Sequence, residues 1–270
     1  MMQIGSHTNI KIEEDLVRHM ILNSIRMYMQ KFGNEYGELV IACDNRRYWR
    51  RDVYPYYKAN RKKARDASDL DWPAIFDCMH KIRQELKDYF PYRVIDVEGA
   101  EADDVIGTLV HRYGNDFSVP ILILSADKDF IQLHSYMNVK QYDPIRKKFI
   151  THNNPVMYVK EHIIKGDVGD GIPNFLSPDN CLVVGIRQKP ITAKKLSAWL
   201  YASPEQFCDE TMLRNYKRNE QLIDLNFTPD VVKNKVLHEF EVQKDKNRSK
   251  LFNYFVSFKL KNLLENIGDF

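Results

Sequence analysis

The sequence lacks several features that would assign it to common protein classes. No apolar run approaches the roughly 18 residues that a membrane-spanning helix needs. The four cysteines form no C-x-x-C pair, and the eight histidines show no zinc-ligand spacing. These absences argue against a membrane protein, a disulfide-stabilised domain and a zinc domain, and they favour reduced thiols in a cytoplasm. With 270 residues, 44% of them hydrophobic, the chain is expected to fold as one large or two small soluble domains.

Positive charge is concentrated in one segment. The formal net charge is only +3, but nine basic residues accompany a single acid, Asp52, in one stretch of the chain. They are Arg46, Arg47, Arg50, Arg51, Lys58, Arg61, Lys62, Lys63 and Arg65. A basic segment and acidic clusters in one chain are typical of an enzyme that holds phosphates beside metal ions.

Negative charge is concentrated in three short clusters and one further position. The clusters are Glu101-Ala102-Asp103-Asp104, Asp127-Lys128-Asp129 and Asp167-Val168-Gly169-Asp170, and Asp44 follows the apolar run 39–43. Carboxylates this dense repel one another unless a positive charge lies between them. Hard divalent cations such as Mg²⁺ prefer oxygen ligands, so the clusters indicate a metal site for phosphate chemistry.

The order of apolar segments predicts an α/β fold with a mostly parallel central sheet flanked by helices, followed by a helical C-terminal part. Predicted strands lie at 39–43, 93–97, 120–124, 139–142 and 148–151. Predicted helices lie at 13–32, 72–89, 102–113, 155–164, 192–201, 212–222 and 251–267, and 241–250 is predicted to be an exposed connection. Ligands of parallel sheets gather at the carboxyl ends of the strands. We therefore expect Asp44, Glu101 and Asp127 to lie close together.

Each acidic cluster alone has a simpler explanation. Glu101 and Asp104 are three residues apart at a predicted helix start, where acids interact favourably with the helix dipole. The Asp127 cluster alone is typical of a solvated turn, and Asp167 and Asp170 are typical turn and cap residues. An EF-hand lacks the required spacing, and an aspartyl-phosphate nucleophile would leave the basic segment without a role. The coincidence of all the clusters at one sheet edge favours two metal ions about 4 Å apart acting on a phosphodiester.

The basic segment has a helical spacing of its own. Lys58, Arg61, Lys62 and Arg65 occupy neighbouring helical positions and would form a positive face. The interleaved aromatic residues could stack on splayed bases; they are Tyr48, Trp49, Tyr54, Tyr56 and Tyr57. A solvated charged helix is the alternative, although exposing so many aromatic rings would be unfavourable.

Read together, the motifs resemble those of the 5′ nuclease (flap endonuclease) family, and most of all its ribonuclease H branch in T-even-type bacteriophages. The motifs, in family order, are Ala42-Cys43-Asp44-Asn45, Tyr57–Arg65, Glu101–Asp104, Ser125–Phe130 and Lys165–Asp170. The similarity covers nearly the whole chain, including Trp49-Arg50-Arg51-Asp52, Leu222-Ile223-Asp224 and the closing residues 266–270.

The resemblance implies a domain arrangement and two Mg²⁺ ions, for which Mn²⁺ can substitute. Residues 1–154 would form a PIN-like 5′ nuclease domain with a basic arch at 46–66. Residues 155–270 would form a helical region with a helix-hairpin-helix-like (H3TH) element that binds duplex. The implied ligands of the first metal are Asp44, Glu101, Asp103 and Asp127, and those of the second are Asp129, Asp167 and Asp170. Asp104 matches a further acid of the family cluster and is included among the implied metal ligands.

The resemblance also implies residue roles in catalysis and in nucleic-acid binding. Catalytic roles fall on Asp44, Lys58, Arg65 and Asp127. Nucleic-acid contacts fall on Arg50, Arg51, Tyr57, Lys58, Arg61, Lys62, Arg65, Lys165, Gly166, Gly169 and Gly171. The glycines of this set are expected to let backbone N–H groups approach phosphates closely.

The function implied is a 5′→3′ exonuclease and flap endonuclease with ribonuclease H activity. It would remove RNA primers and flaps during lagging-strand replication, in the host cytoplasm for a phage protein. Its substrates would be DNA and RNA–DNA duplexes with 5′ ends or flaps, and its partners a single-stranded-DNA-binding protein and a sliding clamp. One departure from the family pattern is visible, because residues 1–12 carry none of the acids that end the family's first strand. We therefore expect that strand and its aspartate to be missing, and the alternative function is a nucleic-acid-binding protein with impaired catalysis.

Overall fold

A computed structural model describes residues 13–270, without the side chains of Lys63 and Ala64. Over these residues the α-helices are α1 (Glu14–Tyr36), α2 (Arg50–Val53), α3 (Ala59–Asp66), α4 (Trp72–Tyr89), α5 (Ala102–Tyr113), α6 (Pro155–Lys165), α7 (Cys181–Val184), α8 (Ala193–Tyr201), α9 (Pro204–Phe207), α10 (Glu210–Ile223), α11 (Asp230–Val242), α12 (Leu251–Ser257) and α13 (Lys261–Leu264). Short 3₁₀ helices span Lys128–Ser135, Leu225–Phe227 and Ile267–Asp269. The strands are β1 (Val40–Ala42), β2 (Arg93–Ile95), β3 (Ile121–Leu124), β4 (Val139–Asp143) and β5 (Lys148–Ile150).

The strands form two small sheets, and the predicted α/β class is confirmed. Strands β1 and β2 form a two-stranded sheet, and β3, β4 and β5 form a three-stranded one in that order. Strand β3 runs parallel to β4, with Ile121 opposite Val139. Strand β5 runs antiparallel to β4 because a short turn at 144–147 joins them. The carboxylate Oδ1 of Asp143 stabilises this turn by accepting hydrogen bonds from the backbone of Ile145 and Arg146.

The chain divides into two compact units. Unit 1 comprises the described part of Met1–Ile41 together with Ala64–Ile95 and Phe240–Phe270, and unit 2 comprises Ala42–Lys63 and Asp96–Glu239. The domain boundary expected between residues 154 and 155 falls within unit 2 and stays a prediction. The expectation about a missing first strand concerns residues 1–12, which lie outside the described residues. Among residues 13–270, no helix combines the length and apolar character that crossing a membrane requires.

Several helices lie where their sequence signals predict them. Helices α4 and α5 have the predicted bounds, and Asp71 caps α4 by accepting a hydrogen bond from the Ala74 N–H at 3.1 Å. Phe76 and Met79 on α4 are 49% and 47% exposed. The buried side of the helix comprises Cys78, Ile82, Glu85 and Leu86, and the charged Glu85 turns inward toward the buried Arg18.

The C-terminal prediction of one long helix is wrong. The chain breaks into α12, α13 and a 3₁₀ turn, and Lys259 at the break has a left-handed φ of 55° that an α-helix cannot accommodate. Helix α11 was not predicted, and it includes the start of the supposed connection 241–250. Gln243 in that connection is buried, and its side-chain amide exchanges two hydrogen bonds of 3.0 Å with the backbone of Val94 in β2.

The core of unit 1 contains a buried ion pair among aromatic rings. The Arg18 guanidinium donates from Nε and Nη2 to Glu85 at 2.7 and 2.8 Å, and the Tyr254 hydroxyl donates to the same carboxylate at 2.8 Å. The guanidinium also lies 4.4 Å from the ring centroid of Phe258. Both charged side chains are almost fully buried, so each depends on the other to remain inside.

The closing residues of the chain pack within unit 1 as well. The Asp269 carboxylate accepts hydrogen bonds from Arg26 at 2.6 Å and from Gln30 at 2.8 Å, both on α1. The fully buried Phe270 ring meets Phe90 and Phe255 with centroid distances of 5.8 and 5.2 Å. These contacts give the sequence motif at 266–270 a structural role.

The core of unit 2 includes two apolar clusters. One packs the end of α6 against α10 and the residues after α6; its buried members are Tyr54, Tyr57, Ile163, Ile164, Ile172, Phe175, Tyr216, Leu222 and Ile223. The other lies where α5, β3, β4 and the first 3₁₀ helix meet, and contains Val110, Ile123, Phe130, Leu133, Val139 and Leu225. The predicted helix-hairpin-helix-like element corresponds to α6, α7, α8 and their connections, and its duplex binding stays a prediction.

Glu85→Gln tests the buried pair of unit 1. The substitution leaves the Arg18 charge buried without its carboxylate, so the free energy of unfolding in urea should fall by about 3–5 kcal/mol. Asp15→Asn is the matched control, because Asp15 is an exposed partner of the same guanidinium. It should lower the free energy of unfolding by less than about 1 kcal/mol. Equal effects of the two substitutions would contradict the proposed importance of burial.

Candidate metal centre

All the acids predicted as metal ligands lie in unit 2, at the ends of its elements. Asp44 follows β1, and Glu101 is the N-cap of α5. Asp127 caps the 3₁₀ helix that follows β3, and its Oδ1 accepts a hydrogen bond from the Asp129 N–H at 3.0 Å. Asp167 lies just beyond α6, and its Oδ1 accepts one from the backbone N–H of Asp170 at 3.2 Å.

The start of α5 brings the first group of acids together. The Asp44 Oδ1 accepts a hydrogen bond from the Ala102 N–H at 2.8 Å, so this carboxylate lies in the first turn of the helix. Asp104 and Glu101 form a capping box, in which the Glu101 N–H donates to Asp104 Oδ2 at 2.9 Å. The expected proximity of Asp44 and Glu101 is therefore found.

Asp104 is an interior anchor, and its prediction as a metal ligand is wrong. The residue is fully buried. Its Oδ1 accepts hydrogen bonds from Trp49 Nε1 at 3.2 Å and Thr228 Oγ1 at 2.8 Å. Its Oδ2 accepts from Arg50 Nη1 and the Glu101 N–H, each at 2.9 Å. Four donors occupy the two oxygens, so the carboxylate is committed to holding the fold.

Arg50 is the main cation of this anchor, and its predicted nucleic-acid contact is wrong. The side chain is almost fully buried, and its Nε donates to the Leu222 carbonyl at 2.9 Å. Its Nη1 donates to Glu101 at 3.0 Å as well as to Asp104, and the guanidinium lies 4.7 Å from the Trp49 ring centroid. The adjacent Arg51 is exposed over Tyr48, so it remains available for phosphates.

Most of the aromatic rings of the basic segment are part of the core. Trp49, Tyr54 and Tyr57 are buried, so the prediction that they stack on bases is wrong. The Tyr57 hydroxyl, predicted to contact nucleic acid, lies between Glu101 Oε2 at 3.1 Å and Asp170 Oδ2 at 2.9 Å. Burial raises the pKa of Tyr57 far above its usual value, so the hydroxyl is a donor to these carboxylates.

Lys58 lies just before α3 and turns inward, so the predicted continuous positive face is corrected. Its backbone has a left-handed φ of 55°, and its N–H donates to the Asp170 carbonyl at 2.7 Å. Its Nζ donates to Glu101 Oε1 at 2.6 Å and lies 3.5 Å from Asp170 Oδ2. Arg61 donates to the other oxygen of Asp170 at 2.5 Å. The protein's own cations thus neutralise Glu101 and Asp170 in this structure.

The remaining basic residues stay predictions. Arg61 is half exposed, and Lys62 is exposed on α3. Lys165 is exposed and pairs with Glu161. Arg65 belongs to unit 1, where its guanidinium lies 5.9 Å from the ring centroid of Phe76.

Two glycines of the turn after α6 are required by the chain itself. A Cβ on Gly166, where φ is 68°, would lie 2.5 Å from the carbonyl oxygens of Ile172 and Pro173. A Cβ on Gly171, where φ is 77°, would lie 2.9 Å from the carbonyl oxygen of Tyr56. Close packing against protein backbone, rather than against phosphate, therefore explains these two positions. Gly169 is exposed, and its predicted phosphate contact stays a prediction.

An open cleft of about 790 Å³ in unit 2 contains further acids of the predicted set. Asp127, Asp129 and Asp167 line it together with Lys128, Tyr158 and His162. The His162 Nδ1 lies 3.3 Å from Asp129 Oδ1, and its Nε2 lies 3.6 Å from Asp167 Oδ2. One potential ligand atom from each of these three residues lies within 4.8 Å of the others.

His162 was not predicted from the sequence, because the histidines show no zinc-ligand spacing. A signal was present, because the residue lies in the last turn of a predicted helix, shortly before Gly166 and the acidic Asp167. Its second partner, Asp129, is distant in sequence, and no local pattern connects the two.

The acids in this part of unit 2 have perturbed pKa values. Burial, followed by the charges of Asp127 and Asp129, raises the pKa of Asp103 to about 8, against the opposing effect of Arg50 and Lys58. Burial also raises the pKa of Asp129 to about 6, with contributions from Asp127, Asp167 and Asp170. The hydrogen bond from His162 lowers the pKa of Asp167. A set of carboxylates with one imidazole, short of positive charge, fits a divalent cation.

Sequence and structure comparisons place the chain among known nucleases. The family model for the 5′-3′ exonuclease N-terminal resolvase-like domain matches residues 7–165, and that for the T4 RNase H C-terminal part matches residues 153–270. Ribonuclease H of Enterobacteria phage T4 is 35% identical over 270 residues, covering 96% of this chain and 88% of that protein.

Two crystal structures of the T5 D15 protein share the fold. One, co-crystallised with metal ions, has a TM-score of 0.57 at 16% identity and covers 85% of this chain and 96% of its own. The other, described as a flap endonuclease in a pseudo-enzyme–product complex with DNA and metal ions, has a TM-score of 0.57 at 15% identity, with 83% and 92% coverage. The chain therefore belongs to the 5′–3′ exonuclease family of nucleases, with the C-terminal region characteristic of T4 ribonuclease H.

Proposed function

We propose that the protein is a Mg²⁺-dependent, structure-specific 5′ nuclease that acts on DNA and RNA–DNA duplexes with 5′ ends or flaps. It would remove RNA primers and flaps during lagging-strand replication, in the cytoplasm of the host. The observation that carries the proposal is the group of Asp103, Asp127, Asp129 and Asp167 in unit 2, where burial and neighbouring acids raise the pKa values of Asp103 and Asp129. The exposed cations of the basic segment in the same unit support it.

The acids fall into two sets that fit two ions. Asp44, Asp103 and Asp127, with Glu101, would hold one ion. Asp129 and Asp167 would hold the other, with Asp170 acting through water. A divalent cation in such a site supplies a more acidic water and a counter-charge for the phosphate.

The cations of the basic segment would bind the substrate backbone. Arg51 and Lys62 are exposed and suit phosphate contacts that carry no sequence information. Lys58 differs, because its ammonium lies beside Glu101 and Asp170, at the edge of the acid group. In that position it would bind the scissile phosphate and orient it toward the acids, and Arg65 would assist it.

Metal binding can be tested by thermal unfolding with and without Mg²⁺. Asp127→Asn keeps the cap of the 3₁₀ helix but removes one of the crowded charges. It should raise the melting temperature without metal, because repulsion within the acid group falls, and it should lower the Mg²⁺ affinity by at least about tenfold.

Asp104→Asn is the matched variant for that experiment. It should lower the melting temperature, because Arg50 loses a buried partner, while the added stabilisation by Mg²⁺ stays close to that of the wild type. A wild-type protein whose melting temperature does not respond to Mg²⁺ or Mn²⁺ would contradict the metal centre.

Catalysis can be tested with a 5′-labelled flap substrate and Mg²⁺. The wild type should cleave it, and Asp127→Asn should reduce the rate by roughly 100-fold, since several kcal/mol of charge stabilisation depend on the ion. Asp116→Asn, which alters an exposed acid in the loop before β3, should leave the rate unchanged. Salt-sensitive binding without any metal-dependent product would instead establish the alternative, a nucleic-acid-binding protein with impaired catalysis.

The basic segment can be tested by comparing cleavage with binding. Lys58→Ala combined with Arg65→Ala should reduce kcat more than it weakens duplex binding, because these cations are proposed to act at the scissile phosphate. Lys62→Ala is the control, since Lys62 lies on α3 together with Arg65. This variant should weaken duplex binding and reduce the salt dependence of the binding constant by about one phosphate contact. Equal losses of kcat and of affinity in the double variant would show that Lys58 and Arg65 only hold the duplex.

A further inference from the structure

His162 supplies the acid group with a nitrogen donor that the proposed function does not use. It lies in the last turn of α6, and the acids it meets come from two other segments, the 3₁₀ helix after β3 and the turn after α6. Its Nδ1 is 3.3 Å from Asp129 Oδ1, and its Nε2 is 3.6 Å from Asp167 Oδ2. The potential ligand atoms of the three residues lie within 4.8 Å of one another. Small side-chain movements would therefore bring all of them into contact with a single ion.

Contacts outside the group fix the orientation of these side chains. The backbone N–H of Asp170 occupies Asp167 Oδ1, which leaves Asp167 Oδ2 facing His162. The Tyr158 ring, one helical turn before His162, packs edge-on against the imidazole with a centroid distance of 6.1 Å. Outer contacts of this kind commonly orient the ligands of metal sites. The cleft is open, so an ion can reach the three side chains from solvent.

The donor set differs from one made only of oxygen. Mg²⁺ prefers carboxylate, carbonyl and water oxygens, whereas imidazole nitrogen favours transition metals. One ring nitrogen can coordinate an ion while the other donates a hydrogen bond, which is the usual arrangement of a metal-bound histidine. Adding an imidazole to two carboxylates therefore moves the donor set away from that of a pure Mg²⁺ site and toward that of a divalent transition metal.

We propose that His162 is a direct nitrogen ligand of the ion held by Asp129 and Asp167, and that this site takes a divalent transition metal such as Mn²⁺ in preference to Mg²⁺. The inference rests on the proposed function, because it concerns one of the two ion sites assigned there. It adds a ligand and a metal preference that an all-carboxylate site would not have.

Electron paramagnetic resonance of the metal-free full chain titrated with Mn²⁺ tests this directly. Pulsed spectra of the bound Mn²⁺ should show coupling to a ¹⁴N nucleus, and the coupling should be lost in His162→Asn. The Mn²⁺ affinity should fall by at least about tenfold in that variant, while the Mg²⁺ affinity, measured by competition, should fall much less.

His152→Asn is the matched control. His152 is exposed and meets the Tyr158 ring edge-on, with a centroid distance of 5.0 Å, but it does not belong to the group. This variant should keep both the coupling and the affinity. If His162→Asn does not fold, wild-type protein labelled with ¹⁵N-histidine decides the question, since the coupling must change to that of ¹⁵N.

Absence of a histidine nitrogen coupling in the wild type, or an unchanged Mn²⁺ affinity in His162→Asn, would overturn the inference. Its failure is distinct from failure of the proposed function. Flap cleavage that depends on Asp127, without nitrogen coupling, would leave the nuclease assignment standing and remove His162 as a ligand. Mn²⁺ binding that depends on His162, without cleavage by any metal-loaded form, would keep His162 as a ligand and remove the nuclease assignment.

Discussion

Repulsion among carboxylates is the constraint on which the arrangement of unit 2 depends. More acids converge there than the protein's own cations can neutralise. Arg50 compensates Asp104 and part of Glu101, and Lys58 and Arg61 compensate the rest of Glu101 together with Asp170. These pairs fix the start of α5 against the basic segment and the turn after α6. The acids left over, chiefly Asp103 and Asp129, carry raised pKa values because burial and the charges of neighbouring acids outweigh the cations near them.

The two units show how charge compensation distinguishes a structural ion pair from a candidate functional site. In unit 1, Glu85 receives donors from Arg18 and Tyr254 and is closed off from solvent, so nothing further is needed to keep it charged. In unit 2, Asp129 and Asp167 face an open cleft with one imidazole between them. Both sites bury charge, but only the second leaves a net negative charge accessible to an ion. Perturbed titration in an accessible cleft, rather than burial alone, therefore marks the candidate site.

Features that depend on neighbouring residues were predicted from the sequence. Features that depend on contacts between residues far apart in the chain were not. The positions of Asp44 after β1, Glu101 at the start of α5 and Asp127 after β3 were predicted correctly because strand ends and helix caps are local signals. Arg50, Tyr57 and Asp104 were assigned to the wrong roles, because their partners lie far along the chain and charge alone does not show which residues turn inward. The break between α12 and α13 escaped prediction for a related reason. The apolar spacing continues across Lys259, and its left-handed backbone follows from tertiary packing rather than from its residue type.

Lys58 connects the proposed binding of metal with the proposed binding of the scissile phosphate. A lysine with a left-handed backbone is unfavourable by about 1–2 kcal/mol. The Lys58 side chain is also largely buried, so its ammonium requires an anion nearby. Glu101 and Asp170 meet that requirement in this structure. Within the proposed function, Glu101 would hold one ion and Asp170 would act on the other through water, so Lys58 would lose part of its counter-charge. A phosphate at the edge of the acid group is the natural replacement, because it offers the ammonium another anion. Metal binding and capture of the scissile phosphate would thus be coupled through the same two side chains, without any change in the surrounding fold.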